Sequence, residues 1–264
     1  MTDRLAKLRS RIDALLLTLE RESGQLLKPI DLDALSKLIG VGVEWRPMVP
    51  EGITCATPDG LKIYLQSNFL EQPGIRVRQR FTWAHELCHT MFYDFKASPP
   101  KKHPRSPTAA SLERLCQEGA AYLLVPELLL CRQFTPLNPV NSIADIDQVT
   151  HDYAVSTDVA MRRIHQAGNI QDGYAALLLR EANGDTRIEA VCFRGWLRRF
   201  FVEIPEIGSS FQAWCGNFMR IAVAVDERTW KSTLDGEDIL LQRSRRSRFS
   251  EIVELRHQAP ATPS

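Results

Sequence analysis

The 264-residue sequence predicts an α+β protein: a mostly helical N-terminal part with a small sheet, a helix-turn-helix-like helix pair, and a C-terminal α+β region. Three observations lead there. Helical apolar spacing dominates up to about residue 167, interrupted by short strand-like runs between 41 and 66. Proline-rich breaks fall at 98–108 and 135–141. After Gly173 the character changes to strand-like runs joined by turn signals. The expected segments are 1–137, 138–170 and 171–264.

Taken in order, residues 3–22 place Leu5, Leu8, Ile12, Leu15 and Leu16 on one helix face. "PIDLDALSKLIGV" predicts a second helix, with Pro29 and Asp31 near its start and Gly40 at its end. "VGVEWRPM" and "GITCATPDGLKIYLQ" read as strands, the latter folded at Pro58-Asp59-Gly60. Ile75 to about Tyr93 is a helix, "SPPKKHPRSPT" (98–108) a loop, and "SLERLCQEGAAYLLVPELLL" a helical run that Pro126 breaks or kinks. Residues 142–167 read as two short helices around Ala154-Val155-Ser156, with Ser156 or Thr157 as the cap of the second. "YAALLLR" and "RIEAVCF" form strands around an Asn183-Gly184 hairpin signal, followed by "FMRIAVAVDE" and "IVELRH". The tail "QAPATPS" is expected to be disordered.

Composition is that of an ordinary globular chain, 44% hydrophobic and 25% charged. With 33 basic and 32 acidic residues the net charge is +1, which demands neither a nucleic acid nor an anionic membrane as partner. Six scattered cysteines without a C-x-x-C pair read as reduced thiols. The N-terminus reads as an amphipathic helix and not a signal peptide, and no apolar run approaches the roughly 18 residues of a membrane span. The expectation is a cytoplasmic protein.

The chemistry lies in "RFTWAHELCHTMFYDF", residues 80–95, which sets His85, Glu86 and His89 in the pattern H-E-x-x-H. Residues four apart share a helix face, so His85 and His89 can aim two imidazoles at one ion. Glu86 sits about 100° round the helix, beside such an ion without binding it, where a general base belongs. A random match somewhere in the chain has odds of roughly one in a hundred. A catalytic zinc takes a third protein ligand and keeps one position open. Glu113 is the candidate, with Gln117 one turn further on the same face as a possible support for a ligand histidine. Glu118 is the rival, and a solvated first-turn carboxylate capped by Ser111 is the plain alternative for Glu113.

"RFTWAHELCHTMFYD" followed by "ERLCQEGAAYLLVP" resembles the ImmA/IrrE family of metallopeptidases. There an R-F-T-x-A-H-E-L-x-H helix precedes E-x-x-x-N/D-x-F-A-A-x-L-L-M-P. Residue by residue, the resemblance implies metal ligands at His85, His89 and Glu113 and a catalytic base at Glu86; Pro126 sets the register that selects Glu113 over Glu118. The similarity covers about residues 25–170. It departs at Gln117 (commonly Asn or Asp), Gly119 (commonly aromatic) and Cys88 (often Gly). It implies a zincin-like fold, one zinc per chain (manganese or iron also suit the ligands), and cleavage of a helix-turn-helix repressor that releases a stress response or a mobile element. A GAF-like sensor fold for the C-terminal region is the family analogy.

An oxyanion formed during peptide hydrolysis needs a donor besides the metal, and His103, His151 and Tyr122 are candidates. The pair 142–168 also allows a DNA-binding regulator with a structural metal. Its second helix carries Arg162 and Arg163, but its first turns offer only Thr157 and Asp158. DNA binding is therefore expected to be weak. "RSRRSR" (243–248) reads as a solvated basic patch before a contact surface, and Trp196, Phe200, Phe201 and Trp214 as core before a ligand pocket.

Overall fold

The fold is described from a computed structural model, for residues 2–67, 75–103, 106–172, 174–182, 185–194, 208, 210, 223–226, 229–234, 237–247 and 250–258. It is a mixed α+β protein. Packing divides the chain into two units, Met1–Glu127 with Val149–Ser156, and Leu128–Gln148 with Thr157–Ser264. Among the described residues no helix is long and apolar enough to cross a membrane, and the five described cysteines are free thiols.

In the first unit, α1 (Thr2–Ser23) buries Leu8, Ile12, Leu16 and Leu19 along one stripe. Helix α2 (Leu32–Leu38) starts at Asp31, whose carboxylate accepts from the backbone N–H of Asp33 (3.0 Å) and Ala34 (2.9 Å). It stops before Gly40, at φ +70°, a conformation that only glycine adopts cheaply. Strands β1 (Gly42–Arg46), β2 (Gly52–Thr57) and β3 (Gly60–Gln66) form a sheet of order β1-β3-β2. β1 runs parallel to β3, and β2 pairs antiparallel with β3 across the turn at Pro58-Asp59. Central β3 alternates strictly, burying Leu61, Ile63 and Leu65.

Helix α3 (Ile75–Thr90) packs on β2 and β3 and on α4 (Ala109–Leu124). It ends earlier than the periodicity suggests. Tyr93–Asp94 forms a two-residue strand, β4, paired with β5 (Lys101–Lys102) inside the segment expected to be loop. The main-chain pairing, continued by the His103 N–H on the Phe92 oxygen at 2.9 Å, overrides the helical apolar pattern. Pro126 makes a full break, and α5 (Glu127–Gln133) follows it.

The expected helix pair is present as α6 (Ile143–Tyr153) and α7 (Thr157–Ala167). In the second unit, the first turn of α6 is held by reciprocal Ser142–Asp145 bonds and by the Glu254 carboxylate, which accepts from the Ile143 N–H. α7 packs against β7 and buries Val159, Ala160, Met161, Arg163 and Ile164. The sheet has the order β7-β6-β11-β10-β9-β8 and is antiparallel throughout: β6 (Tyr174–Ala182), β7 (Asp185–Phe193), β8 (Val223–Asp226), β9 (Thr229–Leu234), β10 (Glu237–Ser247) and β11 (Ser250–Gln258). β6 is buried continuously from Tyr174 to Leu179, which accounts for its unbroken aliphatic run. Strands β9 and β10 lack alternating apolar patterns and are not evident from sequence; most of the basic stretch "RSRRSR" is the end of β10. The Asn183-Gly184 turn, the aromatics Trp196, Phe200, Phe201 and Trp214, and nearly all of the tail lie outside the described residues.

Candidate metal centre

Two helices of the first unit bring the motif residues together. α3 presents His85 and His89 one turn apart, and α4 presents Glu113 opposite them. The two helices meet closely because Gly119 has no side chain. A Cβ there would lie 2.9 Å from the Cys88 sulfur and 2.7 Å from Leu8 Cδ2. The thiol of Cys88 fills the space that a side chain at 119 would need. Cys88 is fully buried, and burial pushes its thiol pKa far up, so it is an inert packing group.

His85 Nε2 lies 3.0 Å from His89 Nε2 and 3.1 Å from Glu113 Oε2, and His89 Nε2 lies 3.3 Å from Glu113 Oε1. Bonds of about 2.0–2.2 Å to a tetrahedral ion place neighbouring ligand atoms roughly 3.3–3.6 Å apart, so these separations, one to each Glu113 oxygen, are close to what such an ion requires. Two imidazole nitrogens and a carboxylate aimed at one point concentrate lone pairs that a cation satisfies. Among the described residues this is the one group of three such side chains with ligand atoms within 4.8 Å of one another. The histidine side chains are 16% and 12% exposed and Glu113 is 61% exposed, so the centre opens to solvent on the α4 side. His89 has its pKa held below the ordinary value, chiefly by burial and partly offset by the nearby Glu86 charge; the neutral form favoured this way is the form that binds metal.

Glu86 lies round α3 from the two histidines, against β2, and is only 8% exposed. The Thr54 hydroxyl donates to Glu86 Oε2 at 2.8 Å, with the Glu86 main-chain oxygen 3.1 Å away as a second acceptor. Gly52 sits under the same side chain: a Cβ there would meet Glu86 Cγ at 2.9 Å and Thr82 Cγ2 at 2.7 Å. Burial raises the Tyr93 pKa, with Cys55 and Glu86 adding to the shift.

The remaining sequence candidates sit elsewhere. Gln117 is exposed and makes no hydrogen bond to either histidine among the described residues. The Tyr122 hydroxyl is committed to Asp13 on α1, at 2.9 and 3.1 Å. His151 is 93% exposed and faces Asp152. His103 borders a cavity of about 570 Å³ with Arg11, Met91 and Phe92. None of the three oxyanion candidates has a described contact with the His85–His89–Glu113 group. Sequence reasoning passed over Thr54, Gly52 and Tyr93. Only the alternation of β2 hints at the first two, and nothing in it links them to a helix some 30 residues on.

No protein-family model matches the chain, and no characterised protein matches it in sequence.

Proposed function

We propose that the protein is a metal-dependent endopeptidase of the ImmA/IrrE type, with His85, His89 and Glu113 holding one zinc ion and Glu86 acting as general base. The observation that carries this reading is the convergence of the three ligand atoms within hydrogen-bonding distance while Glu86, adjacent in sequence, stays out of the group and buried beside it. A purely structural site has no use for that fourth, separately held carboxylate. His85, His89 and Glu113 would hold a zinc ion whose Lewis acidity would make a water more acidic and polarise the scissile carbonyl. Glu86 takes the proton of the attacking water and returns it to the leaving amine. The exposure of Glu113 leaves the solvent side open to an extended substrate segment. The substrate is a helix-turn-helix repressor whose cleavage releases stress-response or mobile-element genes, and the antiparallel sheet of the second unit is the region this reading assigns to sensing, in a GAF-like domain.

The test is Glu86→Gln. It removes the base without removing a ligand, so zinc content remains near one per chain while the rate of repressor cleavage falls by about 10²–10⁴-fold. A Glu86→Gln protein that retains zinc and cleaves at the wild-type rate would rule this mechanism out.

A further inference from the structure

We propose that Thr54 is a positioning residue for Glu86: its hydroxyl on β2 fixes the orientation of the carboxylate on α3 so that one oxygen faces the reacting water. The inference rests on the peptidase reading for its purpose and on the contact itself for its geometry. Thr54 Oγ1 is the one hydrogen-bond donor to the Glu86 carboxylate among the described residues, at 2.8 Å from Oε2. Glu86 as a whole is only 8% exposed, so hydration replaces that bond poorly. Rotation about the last side-chain bond of a glutamate is soft, and a general base with free rotation presents its proton-accepting oxygen only part of the time. With Oε2 held by the hydroxyl, Oε1 is the oxygen left for the water proton; it lies over Gly52, where a Cβ would come within 3.2 Å of it.

The strand that carries the hydroxyl is itself held on α3. Glu51, the residue before β2, accepts from Arg78 Nε at 3.0 Å and from the Thr82 hydroxyl at 3.3 Å, both on α3. Thr54 pairs with Ile63, a fully buried residue of central β3, which fixes the register facing α3. A threonine in a strand is common for its β propensity alone. Here its hydroxyl, and not its methyl, meets the base.

The isosteric pair of substitutions separates hydroxyl from shape. Thr54→Val keeps the methyl packing and deletes the donor; Thr54→Ser keeps the donor and deletes the methyl. Full-length wild type and both variants, loaded with zinc and checked for metal content, are compared by crystal structure and by hydrolysis of a pool of internally quenched peptides. In Thr54→Val the Glu86 carboxylate is expected to leave its wild-type position and the rate to fall about 10–100-fold, the scale of a small misplacement of a reacting group. Thr54→Ser is expected to restore the carboxylate position and most of the rate. An unmoved carboxylate or an unchanged rate in Thr54→Val overturns the proposal, as does a Thr54→Ser protein that behaves like Thr54→Val. A wild type that cleaves none of the peptides sinks the peptidase reading instead, and the crystallographic comparison still decides whether Thr54 holds Glu86.

Discussion

Glu113 and Glu118 lie on the same helix, five residues apart, and differ in what they face. The Glu113 oxygens reach His85 at 3.1 Å and His89 at 3.3 Å. Glu118 lies about 140° further round α4, since five residues are nearly one and a half turns. Glu113→Ala should therefore lose most of its zinc on dialysis, and Glu118→Ala should keep it. Metal analysis with the opposite result would reassign the third ligand. The same contrast between residue type and placement applies to Tyr122, whose hydroxyl is suitable in chemistry but bonded to Asp13.

At the scale of elements, the centre depends on how closely α3 approaches α4 and β2, and glycine permits each approach. For Gly119 two effects of known size oppose each other. Alanine in place of glycine favours a helix by about 1 kcal/mol. Overpacking a buried contact costs about 1–3 kcal/mol. The added Cβ would stand 2.7 Å from Leu8 Cδ2 and 2.9 Å from the Cys88 sulfur, and both neighbours are buried. Overpacking wins, so urea denaturation should show Gly119→Ala destabilised by about 1 kcal/mol net. Adding Cys88→Ala removes one of the two collisions and should recover part of the loss; strictly additive effects of the two substitutions would argue against this contact.

For the molecule as a whole, charge and burial bear on the rival role in DNA binding. Net charge is +1. Of the two arginines on α7, Arg163 is fully buried and Arg162 lies 3.6 Å from Asp158. Few cations remain on that helix to displace counterions from a phosphate backbone. Duplex DNA should therefore bind the full-length chain weakly at physiological salt, and more weakly still as salt rises, in a fluorescence-anisotropy titration. Tight, sequence-selective binding under those conditions would put the regulator reading first.

Local signals determined much of this by themselves. Helical periodicity placed α1, α3 and the α6–α7 pair; Asp31 and Gly40 marked the ends of α2; Pro126 marked the break between α4 and α5; and the H-E-x-x-H spacing named His85, Glu86 and His89, because four residues on a helix is a fixed geometry. Interactions between distant segments were decided only in three dimensions. β4 and β5 exist because two short segments pair, and β9 and β10 are strands without an alternating pattern because their neighbours in the sheet satisfy the backbone. Glu113 followed in sequence only from the register that Pro126 sets in the resemblance to ImmA/IrrE peptidases, and its meeting with His85 and His89 needed the closure of α4 on α3. Thr54 could not be linked to Glu86 from sequence at all, since a strand carries no record of which helix face it covers; that contact depends on the register of β2 on β3 and on the packing of the sheet against α3.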